Sequence, residues 1–86
     1  MGSNEKLIRA IDANLLNKVM ILARTSDLTR PDGNGMTPLD HAAWHNFMEV
    51  AQALVDAGAP RNAKSAAIAA RRKSEGMVGI VSPQRR

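Results

Sequence analysis

Two histidines are the first side chains in this sequence whose types and spacing could do chemistry. His41 and His45 are four residues apart, which is the spacing of two zinc ligands on one face of a helix. The metalloprotease pattern requires a glutamate directly after the first histidine, but Ala42 occupies that position, and no third ligand is evident. We therefore expect no metal site and an ordinary structural position for each histidine.

The acidic residues show no arrangement that is typical of catalysis. The sequence contains no glycine-rich phosphate loop, no nucleophile elbow and no carboxylate pair framed by apolar residues. Asp32 and Asp40 flank a turn and a helix start, where structural roles account for them. We predict a protein that is not an enzyme and that has no cofactor.

Positive charge is concentrated in the C-terminal third of the chain. Residues 1–60 contain five Lys/Arg and seven Asp/Glu, whereas residues 61–86 contain seven Lys/Arg and one acid. The run Arg71-Arg72-Lys73 either supplies the basic end of a binding surface or is a solvated helix end whose cations offset the helix dipole. Nucleic-acid binding is weakly indicated by so short a cluster, and an aromatic content of 2% argues against base-stacking platforms.

Length and composition indicate one small domain. The chain has 86 residues, and its zero cysteines exclude disulfides and thiolate metal sites. No apolar run approaches the ~18–20 residues of a membrane helix, and no signal-peptide pattern follows Met1. We expect a cytoplasmic protein, or a nuclear one if the source is eukaryotic, with no membrane partner.

Apolar spacing predicts short helices that position these residues. Two antiparallel helices are expected at about residues 5–11 and 15–24, followed by a turn at Asp32-Gly33-Asn34-Gly35. Thr37 and Asp40 then form a capping box around Pro38. A further helix after Asn46 ends at Gly58. The predicted core consists of Leu7, Ile11, Leu16, Val19, Leu22, Leu39, Ala42, Val50, Ala51 and Leu54.

The sequence also repeats itself at a separation of 32 residues. Four identical pairs share this separation: Leu7/Leu39, Ala10/Ala42, Asn14/Asn46 and Leu22/Leu54. A period near 33 with two helices per unit is typical of ankyrin repeats. The segment Gly35-Met36-Thr37-Pro38-Leu39-Asp40-His41-Ala42-Ala43 resembles the ankyrin motif Gly-x-Thr-Pro-Leu-His-x-Ala-Ala. The resemblance implies an all-α, ankyrin-like helical repeat solenoid with one short β-hairpin finger.

The resemblance divides the chain into five segments. Residues 1–4 are expected to be an expression scar or disordered, 5–31 a capping repeat, 32–63 a full repeat, 64–81 a degenerate third repeat or cap, and 82–86 a disordered basic tail. Asp40 replaces the motif histidine, which puts the cross-repeat hydrogen bonds of that histidine in doubt. The connection before residue 65 is too short for a second finger. Ser82-Pro83 resembles a kinase site, a match that is common by chance.

By the same resemblance, a concave face binds another protein. The residues expected on this face are Arg30, Asn34, Met36, Trp44, His45, Arg71 and Arg72. Met36, Trp44 and His45 are expected to form one exposed patch, in which Trp44 either anchors a partner or shields neighbouring helix ends. The predicted function is a non-catalytic adaptor, scaffold or inhibitor. The alternative is nucleic-acid or anionic-surface binding through the basic C-terminal third. Weak self-association through residues 65–81 is also expected.

Overall fold

The chain folds as three antiparallel helix pairs stacked side by side in a computed structural model that describes residues 4–82. The helices are α1 (Glu5–Asp12), α2 (Leu16–Ala23), α3 (Pro38–His45), α4 (Met48–Asp56), α5 (Ala63–Arg71) and α6 (Glu75–Val81). The pairs α1–α2, α3–α4 and α5–α6 are called units one, two and three. α1, α3 and α5 form one layer, and α2, α4 and α6 form the other. No helix in residues 4–82 is long and apolar enough to cross a bilayer.

The first helix of every unit ends in the same backbone motif. Asn14, Asn46 and Lys73 have positive φ angles of 56°, 60° and 55°, which is the left-handed conformation of a Schellman C-cap. The residue after each one donates its N–H to the carbonyl five residues back, as Leu15 to Ala10, Phe47 to Ala42 and Ser74 to Ala69 at 2.9, 3.0 and 3.1 Å. The spacing of the motif is 32 residues and then 27, so the third unit is a full helix pair with a shorter connection before it.

The core lies between the two layers and across all three units. Eight of the ten predicted core residues are buried, and Leu16 and Leu22 are only partly buried. Leu16 borders an open groove between α2 and α4, and Leu22 borders an open groove on unit one. Unit three contributes Ala69, Met77 and Val81 to the core. It therefore packs on unit two as part of one continuous core, whereas its roles as a cap and in self-association stay predictions.

The predicted β-hairpin finger is wrong. Residues 24–37 connect α2 to α3, and no strand lies within residues 4–82. The turn is closed by two backbone bonds, from Asp32 N–H to the Met36 carbonyl and from Gly35 N–H to the Asp32 carbonyl, both 2.9 Å. The Asp32 side chain, and not a second strand, accepts from the N–H groups of Asn34 and Met36. Pro31 has no N–H to extend a ladder.

A buried carboxylate joins units two and three. Asp40 is fully buried and forms the predicted capping box with Thr37, whose N–H donates to Asp40 Oδ2 at 3.0 Å. The other carboxylate oxygen accepts a hydrogen bond from the hydroxyl of Ser65 on α5, which is also fully buried. Asp40 therefore provides a cross-unit hydrogen bond at the position where the family motif has histidine.

Asn4 is part of the folded unit and not of a disordered leader. Its side chain is buried, and its amide donates to the carbonyl of Asp27 at 2.8 Å. This bond ties the start of α1 to the connection that follows α2. Residues 1–3 and 83–86, including Pro83 of the kinase-like site, lie outside the described residues.

Two glycines in α6 provide a test of the packing between α4 and α6. A Cβ at Gly76 would lie 2.8 Å from Met48 Sδ, whereas a Cβ at Gly79 would meet nothing within 4 Å. We expect Gly79→Ala to raise the free energy of unfolding by up to about 1 kcal/mol, because alanine favours the helix. Gly76→Ala should gain less, since Met48 must move. Urea unfolding followed by circular dichroism measures both, and an equal gain at both positions would contradict the close approach of α4 and α6.

Candidate functional site

The C-terminal ends of α1, α3 and α5 lie side by side and form one surface. Three observed contacts connect these ends: His45 with Asp12, Trp44 with Arg72, and Asn46 with Ser74. We call the surface formed by Asp12, Trp44, His45, Arg71 and Arg72 the helix-end surface. It arises because each first helix stops at the same Schellman motif, which keeps the three ends at one level.

Trp44 is the most prominent apolar side chain of the helix-end surface. It is 49% exposed, so its own chain does not bury it. The guanidinium carbon of Arg72 lies 4.9 Å from the centre of the Trp44 ring, within the range of a cation–π interaction. The two residues are 28 positions apart, so unit three must be stacked for the pair to form.

Beside Trp44, His45 is held by contacts on two sides. Its Nε2 atom lies 2.9 Å from Asp12 Oδ1 on α1. Its ring stacks on Phe47, with ring centres 5.1 Å apart and planes inclined by 16°. The imidazole is therefore fixed in orientation while its side chain stays one-third exposed.

His41 is the residue whose role the sequence did not reveal. Its ring is 13% exposed and lies between two carboxylates, with Nδ1 3.3 Å from Asp12 Oδ1 and Nε2 2.7 Å from Asp32 Oδ2. The spacing of His41 and His45 was the available signal, but their shared partner Asp12 comes from the preceding unit and could not be inferred.

The turn before α3 is organised around Asp32. Its carboxylate interacts with His41 and accepts from the N–H groups of Asn34 and Met36 at 2.8 and 3.1 Å. These contacts lower the pKa of Asp32 to about 2. The hydrogen bond with His41 is the largest cause, and the hydrogen bond from the Met36 N–H is the next. The ammonium group of Lys64 on α5 donates to the Gly35 carbonyl, so unit three also fixes this turn.

The remaining predicted residues separate from the helix-end surface. Met36 is partly buried and Asn34 is exposed, and both lie in the turn before the N-terminus of α3. Trp44 lies in the last turn of that helix, ~9 Å or more further along its axis. Arg30 is exposed, and its carbonyl accepts from the Asn4 amide at 3.5 Å. The expected patch of Met36, Trp44 and His45 is thus divided between two ends of α3.

The site offers recognition and no evident chemistry. The ring nitrogens of His41 and His45 contact carboxylate oxygens of Asp12 and Asp32. They do not converge on one point where a metal ion could bind. Within the part of the chain that the structure describes, no group of three or more His, Asp and Glu side chains could hold a metal ion. The exposed groups that remain are an indole and several cations.

Comparison with known proteins identifies the family. Residues 7–55, more than half of the chain, match the family model described as ankyrin repeats in many copies. The protein therefore belongs to the ankyrin repeat family. A search of curated proteins finds no match to this chain. Ankyrin repeats generally mediate protein–protein interaction, and ankyrin repeat proteins are generally non-enzymatic.

The lowered pKa of Asp32 makes stability dependent on pH in acid. A carboxyl with a folded-state pKa of about 2 and an ordinary value of 3.8 contributes stability above the ordinary value and loses it as the pH falls toward 2. We expect the difference in unfolding free energy between wild type and Asp32→Asn to shrink between pH 4 and pH 2. Urea unfolding at several pH values measures it.

The contribution of His41 to the lowered pKa of Asp32 can be distinguished from that of the backbone N–H groups. A carbon-13 NMR titration of the Asp32 carboxyl in the His41→Gln variant should show its midpoint moved up from about 2 toward 3.8. A midpoint that stays near 2 without His41 would show that the backbone N–H groups alone hold the carboxylate.

Proposed function

We propose that this chain is a protein-binding module that uses the helix-end surface, with Trp44 as the anchor. The observation that carries the proposal is a half-exposed tryptophan whose ring lies against the guanidinium of Arg72. Tryptophan and arginine are enriched among the residues that dominate binding energy. A partner that covers the free part of the ring would bury a large apolar area without any change of fold.

Neighbouring charges support a partner with acidic and apolar groups. Arg71 and Lys73 are exposed beside Arg72 at the end of α5. Asp12 lies on the other side of Trp44, where His41 and His45 occupy its carboxylate. The surface is therefore basic on the side of unit three and carries the Asp12 carboxylate on the side of unit one. A carboxylate of the partner is expected near Arg71, with an apolar side chain on Trp44.

We propose that the protein acts through this surface as an adaptor, a scaffold or an inhibitor. A rigid stack of units can hold a partner, and the site contains no group placed for catalysis. The choice among these three roles depends on the identity of the partner.

A matched pair of variants tests the proposal. The bait protein, immobilised as wild type, Trp44→Ala or Met20→Ala, captures partners from a lysate, and each captured protein is then purified for affinity measurements. Met20 is 48% exposed and lies on α2, so it controls for the loss of an exposed apolar side chain. Trp44→Ala should weaken binding by about 2 kcal/mol or more, roughly thirtyfold in Kd, while Met20→Ala should leave Kd unchanged.

Salt dependence distinguishes the alternative of nucleic-acid or anionic-surface binding. A contact centred on Trp44 should lose little affinity between 50 and 200 mM salt, whereas release of counterions from phosphates gives a steep fall. The proposal is wrong if a steep fall accompanies full affinity in the Trp44→Ala variant. In that case the Arg71-Arg72-Lys73 run would be the binding element.

A further inference from the structure

The outer face of unit one carries an open groove between its two helices. Within residues 4–82 no other element packs on this face, because α1 contacts α3 and α2 contacts α4 on the opposite side. The groove measures about 710 Å³, and we call it the outer groove. Its lining includes Lys6 and Arg9 on the α1 side and Leu15, Lys18, Ile21 and Leu22 on the α2 side.

The floor of the outer groove is apolar and accessible. Ile21 is 68% exposed and Leu15 is 46% exposed, although both are large aliphatic residues. Leu22 and Ala10 continue this surface inward to the core. Clustered apolar side chains that are rimmed by polar groups mark interaction sites on protein surfaces. The outer groove is therefore a second candidate binding surface, separate from the helix-end surface.

Cations form the rim of the outer groove. Arg9 is paired with Glu5 at 2.8 Å, which neutralises its charge locally. Among the described residues, no carboxylate lies within ion-pair distance of Lys6 or Lys18. One lysine is on α1 and the other on α2, so the two charges flank the apolar floor. This arrangement is complementary to an occupant with an apolar centre and acidic edges.

The shape of the outer groove and the charges on unit three favour an amphipathic helix over a second copy of the chain as its occupant. A second copy stacked end to end would bring Lys6, at the start of α1, toward the start of α5 in unit three, where Lys64 is exposed. Like charges then oppose that assembly. A groove between two helices also fits a third helix, since an amphipathic helix lays its apolar face into such a groove.

We propose that the outer groove binds an amphipathic helix of a partner protein. The apolar face of that helix covers Leu15 and Ile21, and its flanking carboxylates pair with Lys6 and Lys18. This inference does not rest on the function proposed for Trp44, because it concerns a different face of the molecule.

The test uses two synthetic probes. Both are fluorescently labelled 18-residue helical peptides with leucine and alanine on one face; one carries glutamate on its flanks and the other carries lysine. Fluorescence anisotropy with the full chain should show binding of the glutamate peptide and at least about tenfold weaker binding of the lysine peptide. Equal affinity for both peptides would overturn the proposal.

Variants locate the binding site. Ile21→Ser should weaken binding of the glutamate peptide by about tenfold or more. Met20→Ser is the matched control, since Met20 is adjacent, is also a large exposed apolar residue, and lines a different groove with Glu49 and Asp56. Trp44→Ala should leave the affinity unchanged, which separates this result from the function proposed above. An equal loss with Met20→Ser would overturn the proposal.

A charge exchange keeps the test valid even if Ile21→Ser reduces stability. The double variant Lys6→Glu/Lys18→Glu should prefer the lysine peptide, because the sign of the rim is reversed. Vesicles of phosphatidylcholine and phosphatidylserine, and sedimentation velocity of the chain alone, are measured beside the peptides. The proposal fails if neither peptide binds the chain. Vesicle binding or self-association that Ile21→Ser abolishes would then identify a membrane or a second copy as the occupant.

Discussion

The buried carboxylate of Asp40 is the interaction on which the rest of this short stack depends. It accepts from the N–H of Thr37 at the start of α3 and from the hydroxyl of Ser65 on α5. Burying a carboxylate costs free energy unless such donors surround it. The hydrogen bonds of Asp40 are therefore complete only when unit three is in place. One side chain thus couples the start of a helix in unit two to the packing of the next unit.

The helix-end surface follows from that coupling. A single helix pair cannot bury its apolar face alone, and repeat proteins gain stability from contacts between neighbours. Unit three supplies buried apolar side chains to the core, Lys64 to the turn before α3, and Arg72 to the ring of Trp44. The recognition surface is therefore a property of the stacked units, with His41 and Asp12 providing a similar link between units one and two.

The sequence predicted the repeat, the starts of α1 to α4 to within about one residue, and most of the core, because these depend on local spacing and capping. The motif around Thr37 and Pro38 specified α3, and the 32-residue separation specified units one and two. The sequence did not reveal the partners of Asp40 and His41, because those partners come from other units. It also predicted a hairpin at the turn where the Asp32 side chain accepts hydrogen bonds from the backbone N–H groups. The sequence analysis also placed Met36 and Trp44 in one patch, whereas Met36 precedes the start of α3 and Trp44 lies in its last turn.

Hydrogen–deuterium exchange on wild type and Ser65→Ala tests the central claim most directly. The account predicts that the variant loses protection first in α5 and α6, and that the fluorescence of Trp44, the only tryptophan in the chain, changes as Arg72 leaves its ring. The free energy of opening of α5 and α6 should fall by about 1.5–3 kcal/mol, the range for a hydrogen bond to a charged group. Unchanged protection in α5 and α6 would contradict the claim that the bond between Asp40 and Ser65 holds unit three in place.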